Sequence, residues 1–245
     1  MKGSRVQASV ILLRSVSATL RITIATLFDA YRGTHQREDS DRRLRWWSAR
    51  LLDLVRARCV VVGDPRVTLP SGRPVIVMSN HASLYDIPIL FAALPGSMRM
   101  LTKKELFRVP IWGRGLAAAD FISVDRHDHA EALRALEVAR EKMASGISLW
   151  IAPEGTRSRN GNLGTFKKGG IMLAIQTGAT IVPVGIRGSC EILPPKTFFD
   201  VCLDCAPEVH VGAPIDARAF SEDRRDELLG IVRDEIADLA GIQRH

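Results

Sequence analysis

The sequence has little of what defines several protein classes. Only four cysteines occur among 245 residues, and just two, Cys202 and Cys205, lie close together. That number does not suit a disulfide-stapled fold, and a zinc site would need a second ligand pair at a suitable spacing. Residues 200–207 alternate like a strand, so we interpret this pair as structural. The few cysteines therefore predict a cytosolic protein with reduced thiols. The chain has no internal repeat or low-complexity linker and is long enough to bury one sizeable core.

A long uncharged apolar run is also missing. Residues 6–28 are largely apolar, but Arg14 and Arg21 interrupt them, so no uncharged run reaches the roughly 18 residues of a spanning helix. The same arginines disfavour a secretory signal peptide. Helical periodicity explains the segment better, because its apolar residues recur every three or four positions. The predicted apolar stripe consists of Leu13, Val16, Leu20, Ile24 and Leu27.

The net positive charge of the chain comes from its first quarter. Residues 1–58 hold 12 Lys/Arg and 5 Asp/Glu, which is the whole net charge of +7, whereas residues 59–245 hold 22 of each. A second amphipathic stretch, residues 41–58, combines arginines with a tryptophan pair, as helices lying in a membrane interface do. We predict that 1–58 is a basic membrane-association arm and 59–245 an α/β domain. The expected membrane-binding residues are Arg14, Arg21, Arg43, Trp46, Trp47 and Arg50.

Two alternatives for the basic arm stay open at this point. It could be a two-helix hairpin packed on the body with a solvated basic face, and it could then touch lipid as well. It could also bind nucleic acid, with the tryptophans stacking on bases, but the body offers no recognition motif for nucleic acid. We therefore expect an anionic membrane surface as the partner.

From residue 59 onward, short β-rich runs alternate with helical patterns. This order predicts an α/β fold with a mixed, largely parallel sheet flanked by helices. The predicted strands are residues 75–79, 98–102, 147–152, 180–186 and 208–212.

One polar motif directly follows the first of these strands, where open α/β sheets place their sites. It contains Asn80, His81 and Asp86, with Pro88 shortly after. Pro88 indicates a helix start, so His81 in the turn could meet Asp86 in the first helical turn. A carboxylate against one imidazole nitrogen raises the basicity of the other. The alternatives are a helix cap beside a buried histidine, or two ligands of a metal-dependent hydrolase, although the histidines form no obvious further ligand cluster.

A second polar motif follows the strand at residues 147–152 and runs from Glu154 to Ser158. Gly155 permits a tight turn, and the planar Arg157 fork suits a phosphate or carboxylate. The P-loop spacing is absent, so the motif predicts a different kind of anion site. Two weaker features are Arg126 at the end of a β-like run and Pro183 within the strand at 180–186, which predicts an edge strand or a bulge.

In this order, these motifs resemble those of the 1-acylglycerol-3-phosphate acyltransferase family of phospholipid synthesis. The family's four motifs match, in turn, Asn80-His81 with Asp86, a stretch ending at Arg126, residues 154–158, and the strand around Pro183. The stretch beginning at Lys104 is also similar, and the resemblance covers roughly residues 60–240. One departure is Asp120, where the second motif usually has glycine.

The resemblance implies a glycerolphosphate acyltransferase-like fold and an enzyme that moves an acyl group from an acyl thioester to a lysophospholipid. 1-Acyl-sn-glycerol 3-phosphate is the default acceptor, and acyl-CoA or acyl carrier protein carries the donor group. It implies no cofactor and no metal. The alternatives are a different lyso-lipid acceptor, or a non-catalytic peripheral lipid-binding protein. The expected location is peripheral or monotopic, on the cytoplasmic face of the bacterial inner membrane.

The resemblance also assigns roles. His81 is the general base and Asp86 orients it. The residues implied to bind the acceptor phosphate are Arg126, Glu154, Gly155, Thr156 and Arg157. Supporting roles are implied for Asn80, Ser158, Lys104 and Pro183.

Overall fold

The structure, a computed structural model, describes residues 2–63, 72–125, 128–158 and 161–243. Its helices are α1 (Arg5–Tyr31), α2 (Arg37–Leu54), α3 (Asp86–Ala93), α4 (Lys104–Phe107), α5 (Trp112–Ala118), α6 (His129–Ala144), α7 (Gly169–Thr177), α8 (Ser189–Ile192) and α9 (Arg225–Ala240). Its strands are β1 (Val60–Val62), β2 (Val75–Ser79), β3 (Met98–Lys103), β4 (Ile122–Val124), β5 (Ser148–Ile151), β6 (Thr180–Arg187), β7 (Glu208–Val211) and β8 (Ile215–Asp216).

These strands form one sheet in the order β1-β7-β6-β2-β5-β3-β4, and β8 pairs with β6. The pairs from β6 through β2, β5 and β3 to β4 are parallel, whereas β7 and β8 run antiparallel to β6. The predicted fold class, a mixed and largely parallel sheet flanked by helices, is therefore confirmed. Since β2 is interior and buried at all five positions, its carboxyl end opens in the middle of the sheet.

Helices cover both faces of the sheet. Alternate side chains of β2 divide the core, because Val75 and Val77 join the cluster under α1, α2 and α3, while Ile76 and Met78 join the one under α6, α7 and α9. The basic arm therefore packs on the body, through buried residues that include Ile11, Leu44 and Val55.

A buried ion pair also ties the basic arm to the body. Arg99 of β3 is fully buried, and its Nη1 lies 2.7 Å from Oδ1 of Asp41 in α2. The Arg99 Nε donates to the carbonyl of Ala119 at 2.5 Å, and the Ser97 hydroxyl donates to Asp41. Buried charges require such partners, so this contact fixes where α2 docks.

The predicted apolar stripe of α1 faces away from the body. Four of its members are exposed, Leu13 at 67%, Val16 at 55%, Leu20 at 44% and Ile24 at 52%, while Leu27 is half-buried. The inward side of α1 is made of small or polar residues, such as Ala8, Ala18 and Thr23. The exposed apolar face of α1 comprises Val6, Val10, Leu13, Val16, Leu20, Ile24, Phe28 and Tyr31.

Two predictions of local structure are wrong, namely the edge-strand alternative at Pro183 and the strand at residues 200–207. Pro183 lies in an interior strand and not at an edge, because β6 pairs with β2 on one side and with β7 and β8 on the other. The antiparallel ladders leave a gap there, since β8 pairs with residues 180–181 and β7 with 184–187. The Pro183 carbonyl accepts from Gly212 N at 2.9 Å, so the nitrogen that lacks a proton faces this gap.

Residues 200–207 form no strand, only an isolated bridge between Lys2 and Cys202. The side chains of Cys202 and Cys205 both lie 3.9 Å from the carbonyl oxygen of Leu203. Burial, followed by the neighbouring Cys202, raises the pKa of Cys205 to about 11, so its thiol is protonated at neutral pH.

Candidate active site

The centre of the site is the His81–Asp86 pair at the carboxyl end of β2. The chain leaves β2 at Ser79, turns through His81, and enters α3 at Asp86. Nδ1 of His81 lies 2.7 Å from Oδ2 of Asp86. The Asp86 side chain is fully buried, whereas that of His81 is 17% exposed. Because Asp86 binds Nδ1, the second imidazole nitrogen, Nε2, is not engaged by this carboxylate.

The carboxylate of Asp86 is held by the turn itself. Its Oδ2 also accepts from the backbone N–H groups of Ala82 and Ser83, each at 2.8 Å. The Ser83 hydroxyl in turn donates to the Leu193 carbonyl at 2.8 Å. Oδ1 of Asp86 is buried and has no hydrogen-bond partner among the described residues. Burying an ionised carboxylate costs free energy, which hydrogen bonds to it offset. Both backbone donors bind Oδ2, the same oxygen that contacts His81.

A tryptophan from β5 also contacts the imidazole. Trp150 packs edge-on against the ring of His81, with centroids 5.6 Å apart and planes at 87°. Its Nε1 donates to the hydroxyl of Ser79 at 2.9 Å. Neither Trp150 nor Ser79 was among the residues predicted for the site.

Glu154 braces the turn that carries His81. Its Oε1 accepts from the backbone N–H of His81 at 3.2 Å, and its Oε2 accepts from that of Gly164 at 2.8 Å. Burial raises the pKa of the Glu154 carboxyl, and these two backbone donors oppose the shift. The structure thus gives Glu154 contacts that organise the protein backbone.

The turn after β5 carries the rest of the second polar motif and joins it to His81 through Ser158. Gly155 adopts a φ of 71°, and a Cβ there would lie 3.0 Å from Cε of Lys167, so the turn needs glycine. The Ser158 N–H donates to the His81 carbonyl at 2.7 Å, which joins the two motifs. Thr156 is exposed, and Arg157 is half-buried without a hydrogen bond or ion pair to any residue that the structure describes.

Asn80 and Lys104 make structural contacts. The Asn80 amide bonds the backbone of Ile186 in both directions, donating at 2.9 Å and accepting at 2.8 Å, which joins the ends of β2 and β6. Lys104 lies 3.8 Å from carboxylate oxygens of both Asp125 and Glu131. Arg126, the remaining residue predicted to bind phosphate, lies outside the described residues.

The structure explains the departure at Asp120. This residue has a φ of 66°, a left-handed conformation that glycine adopts freely and that aspartate tolerates better than most residues. Its carboxylate pairs with Lys142 of α6. The local backbone geometry is therefore compatible with a motif that usually has glycine there.

An apolar cavity of about 520 Å³ lies between the basic arm and the body. Leu84, Tyr85 and Ile87, which flank Asp86 in sequence, line it. Val16 and Leu20, which belong to the exposed apolar face of α1, line it too. The sequence motifs gave no signal for this cavity, because its walls come from helices that are far apart in the chain.

The predicted membrane-binding residues occupy different positions on the hairpin. Arg14 and Arg50 are exposed, and the Arg21 guanidinium lies 4.8 Å from the ring centre of Trp46. Trp47 is half-buried and donates from Nε1 to Thr19 at 2.9 Å. Arg43 pairs with Asp29 of α1 and donates to Thr26, so the structure uses it between the two helices.

Within the described residues, the group of possible metal ligands is Asp29, His35 and Asp39, near the α1–α2 turn. It includes neither His81 nor Asp86. Both of its carboxylates already pair with arginines, Asp29 with Arg43 and Asp39 with Arg42.

Comparisons with known proteins show the family of the chain. The family model described as Acyltransferase matches residues 62–187, which carry the His81–Asp86 pair and the turn at Glu154. A protein of Borreliella burgdorferi named 1-acyl-sn-glycerol-3-phosphate acyltransferase is 32% identical over 183 residues, covering 75% of this chain and 72% of that protein. The chain belongs to the acyltransferase family. It is therefore an acyltransferase by family, with its candidate active site at the carboxyl end of β2.

One further relative and one solved structure are similar to this acyltransferase. The human protein named 1-acyl-sn-glycerol-3-phosphate acyltransferase alpha is 34% identical over 116 residues, or 47% of this chain and 41% of that protein. The crystal structure of the 1-acyl-sn-glycerophosphate (LPA) acyltransferase PlsC from Thermotoga maritima superposes with a TM-score of 0.72 and 24% identity, covering 96% of this chain and all of that one. That likeness shows a shared fold.

Proposed function

We propose that this acyltransferase moves a fatty acyl group from an acyl thioester to the free hydroxyl of 1-acyl-sn-glycerol 3-phosphate, giving phosphatidic acid. The observation that carries the proposal is the 2.7 Å contact between His81 Nδ1 and Asp86 Oδ2, in an acyltransferase domain whose relatives bear that substrate in their names. A different lyso-lipid acceptor is compatible with the same chemistry.

The chemistry follows from the pair. Asp86 holds the Nδ1 proton of His81, so Nε2 is free to accept the proton of the acceptor hydroxyl. The hydroxyl oxygen then attacks the thioester carbonyl carbon. When the C–S bond breaks, the thiolate takes the proton from Nε2, which returns His81 to its starting state. A thiol with a pKa of ~8.5 is a good leaving group, so no separate strong acid is needed.

The acceptor phosphate is assigned to the side of the site where Arg157 lies. Its half-buried guanidinium has no described partner and can form two parallel hydrogen bonds to a phosphate. Thr156 is exposed beside it. Arg126 is proposed for the same phosphate from the family motif. Glu154 instead acts by fixing the turn, since its oxygens are occupied by backbone donors.

The apolar cavity is proposed to hold a fatty acyl chain. Its volume of about 520 Å³ falls within the range of small-molecule sites, and its wall includes Leu84, Tyr85 and Ile87, which flank Asp86 in sequence. Because Val16 and Leu20 belong both to its wall and to the exposed apolar face of α1, a chain can enter from the lipid phase.

Membrane association is proposed through α1. By length and composition, α1 is long and apolar enough to cross a bilayer. Its inward side, however, packs on the core, and Thr23 lies against Gly115, where an added Cβ would come within 2.6 Å. We therefore propose that α1 lies in the plane of one leaflet, on the cytoplasmic face of the bacterial inner membrane, with basic residues at anionic headgroups.

The experiment is an acyl-transfer assay with the purified full chain, a panel of lyso-lipids, and acyl-CoA and acyl carrier protein thioesters as donors. We expect phosphatidic acid as the main product, with turnover nearly abolished in His81→Ala. If His81→Ala retains a tenth or more of the wild-type rate, the assigned base is wrong. Lipid binding without acyl transfer to any acceptor would support the non-catalytic alternative.

A further inference from the structure

The indole of Trp150 lies on the same face of the sheet as the catalytic histidine. Trp150 pairs with Val77 across the β2–β5 ladder, and side chains alternate along a strand. Val77 and Ser79 therefore point to the face on which Trp150 is buried, and the chain reaches His81 two residues later. The indole extends along this face from the level of Val77 to the imidazole.

Two contacts fix the indole. It is 4% exposed and packs in the cluster under α1, α2 and α3. Its Nε1 donates to Ser79 Oγ at 2.9 Å, and the Ser79 hydroxyl lies 2.9 Å from the carbonyl of Asn80, directly before His81. The ring therefore has a fixed position relative to the turn that carries the histidine.

A single hydrogen bond does not fix an imidazole completely. The contact with Asp86 holds Nδ1, but the ring can still tilt about that point. The Trp150 ring stands at 87° to the imidazole, with centroids 5.6 Å apart, an edge-to-face arrangement that aromatic pairs prefer. It occupies one side of His81, so it limits the tilt and keeps water from that side.

We propose that Trp150 is a positioning residue for the acyl transfer, which orients His81 so that Nε2 stays directed at the acceptor hydroxyl. This inference rests on the proposed role of His81 as the base. It assigns no contact between Trp150 and either substrate. Loss of the indole should therefore affect kcat far more than the KM of either substrate.

The test compares Trp150→Leu with Leu149→Ala. Leu149 is the neighbouring fully buried residue of β5, and its side chain packs in the opposite cluster, so its loss destabilises the protein without touching His81. Because small misplacements of reacting groups cost up to about 100-fold, we expect Trp150→Leu to lower kcat about 10- to 100-fold. Both KM values should stay within about threefold, and Leu149→Ala should keep near-wild-type kcat below its melting temperature.

Two milder variants keep the test decisive if Trp150→Leu does not fold. Trp150→Phe retains an aromatic ring and should keep more activity than Trp150→Leu. Ser79→Ala removes the anchor of the indole and should lower kcat about fivefold, the effect of one neutral hydrogen bond.

The second readout is independent of activity. In protein with 15N-labelled histidine, the His81 imidazole proton on Nδ1 should be observable by NMR in the wild type and assigned by its loss in His81→Ala. We expect it to shift or broaden in Trp150→Leu and Ser79→Ala, but not in Leu149→Ala. The inference is overturned if this signal is unchanged, or if Trp150→Leu loses no more kcat than Leu149→Ala. A wild type without acyl transfer would instead overturn the proposed function, while the NMR comparison would still report the contact.

Discussion

The Oδ2 atom of Asp86 binds Nδ1 of His81 at 2.7 Å and, at the same time, accepts two backbone N–H groups of the turn between them. One oxygen therefore orients the imidazole and fixes the path of the chain from β2 into α3. The dual use explains why a carboxylate is needed at the first position of the helix. An acidic group there is also favoured by the helix dipole.

The first prediction concerns Asp86→Asn. An amide oxygen can still accept from His81 and the backbone, but the negative charge that stabilises the protonated imidazole is lost, and the amide NH₂ is buried at the position of Oδ1, which has no described partner. We expect kcat to fall about 10²- to 10⁴-fold, the usual range for losing acid–base assistance. Steady-state kinetics measures it.

The control for this prediction is the double variant with His81→Ala. His81→Ala alone should be the more severe change, and adding Asp86→Asn to it should cost little more, because the two residues act as one unit. Independent, multiplicative losses would contradict the assignment of Asp86 as the residue that orients the base.

The second prediction is that Arg157→Lys lowers kcat/KM for a phosphate-bearing lyso-lipid by at least about tenfold. Lysine keeps the charge but cannot reproduce the two parallel hydrogen bonds of a guanidinium, each worth roughly 1.5–3 kcal/mol when charged. The KM of the thioester should stay within about threefold. Kinetics with each substrate varied in turn provides the measurement.

Arg140→Lys is the matched control for Arg157, because Arg140 is an exposed arginine of α6. It should leave both substrates unaffected. If Arg157 is only a structural support, its substitution will lower the melting temperature and impair both substrates together. A selective donor defect with an unchanged acceptor KM would exclude the phosphate assignment.

Much of this site could be predicted from local sequence. The apolar run of β2, the polar turn after it and Pro88 in the first turn of α3 are signals within a few residues of one another, and they place His81 next to Asp86. Periodicity likewise identified the apolar residues of α1. Such signals depend on the neighbours along the chain, which a sequence displays directly.

Contacts between distant segments could not be predicted in this way. Trp150 reaches a hydroxyl 71 positions away, and Arg99 pairs with an aspartate 58 positions away in the stretch predicted as a membrane-interface helix. For Pro183 the sequence predicts an edge strand or a bulge, because proline lacks an N–H group. It lies in an interior strand because β8 pairs with the residues before it and β7 with the residues after it. No local sequence pattern predicts these two pairings.

The third prediction concerns the exposed apolar face of α1. The triple variant Leu13→Ser, Ile24→Ser, Phe28→Ser changes exposed residues that do not line the cavity. Burying each side chain in lipid is worth up to roughly 1.5–3 kcal/mol, so we expect at least about tenfold weaker binding to anionic liposomes. Co-sedimentation with liposomes at low salt measures this binding, and a parallel experiment measures binding to an oligonucleotide.

The matched control for α1 is Leu133→Ser, Val138→Ser, Ile231→Ser, which removes exposed apolar residues from α6 and α9 on the other side of the sheet. It should bind liposomes like the wild type. Deleting residues 1–58 is a poorer test, because that segment supplies part of the core. Equal liposome binding by the two triple variants would contradict the in-plane role of α1, and loss of oligonucleotide binding instead would favour the nucleic-acid alternative.

The fourth prediction is a pH dependence of stability that arises from Glu154. Burial raises its pKa above the usual 4.5, and the backbone N–H donors of Gly164 and His81 oppose this shift without cancelling it. The folded state then holds the Glu154 proton to a higher pH than the unfolded state does, so this group's contribution to stability is greatest below pH 4.5 and declines as pH rises through the raised pKa.

Glu154→Gln does not titrate, although its NH₂ faces a backbone N–H. The melting temperature of the wild type minus that of Glu154→Gln should therefore decrease from pH 4 toward pH 7. Thermal melts across this range measure it, with Glu137→Gln, on the exposed side of α6, as the control substitution. A difference that instead grows with pH would mean that the backbone donors of His81 and Gly164 outweigh burial, and that Glu154 stabilises the turn as an anion.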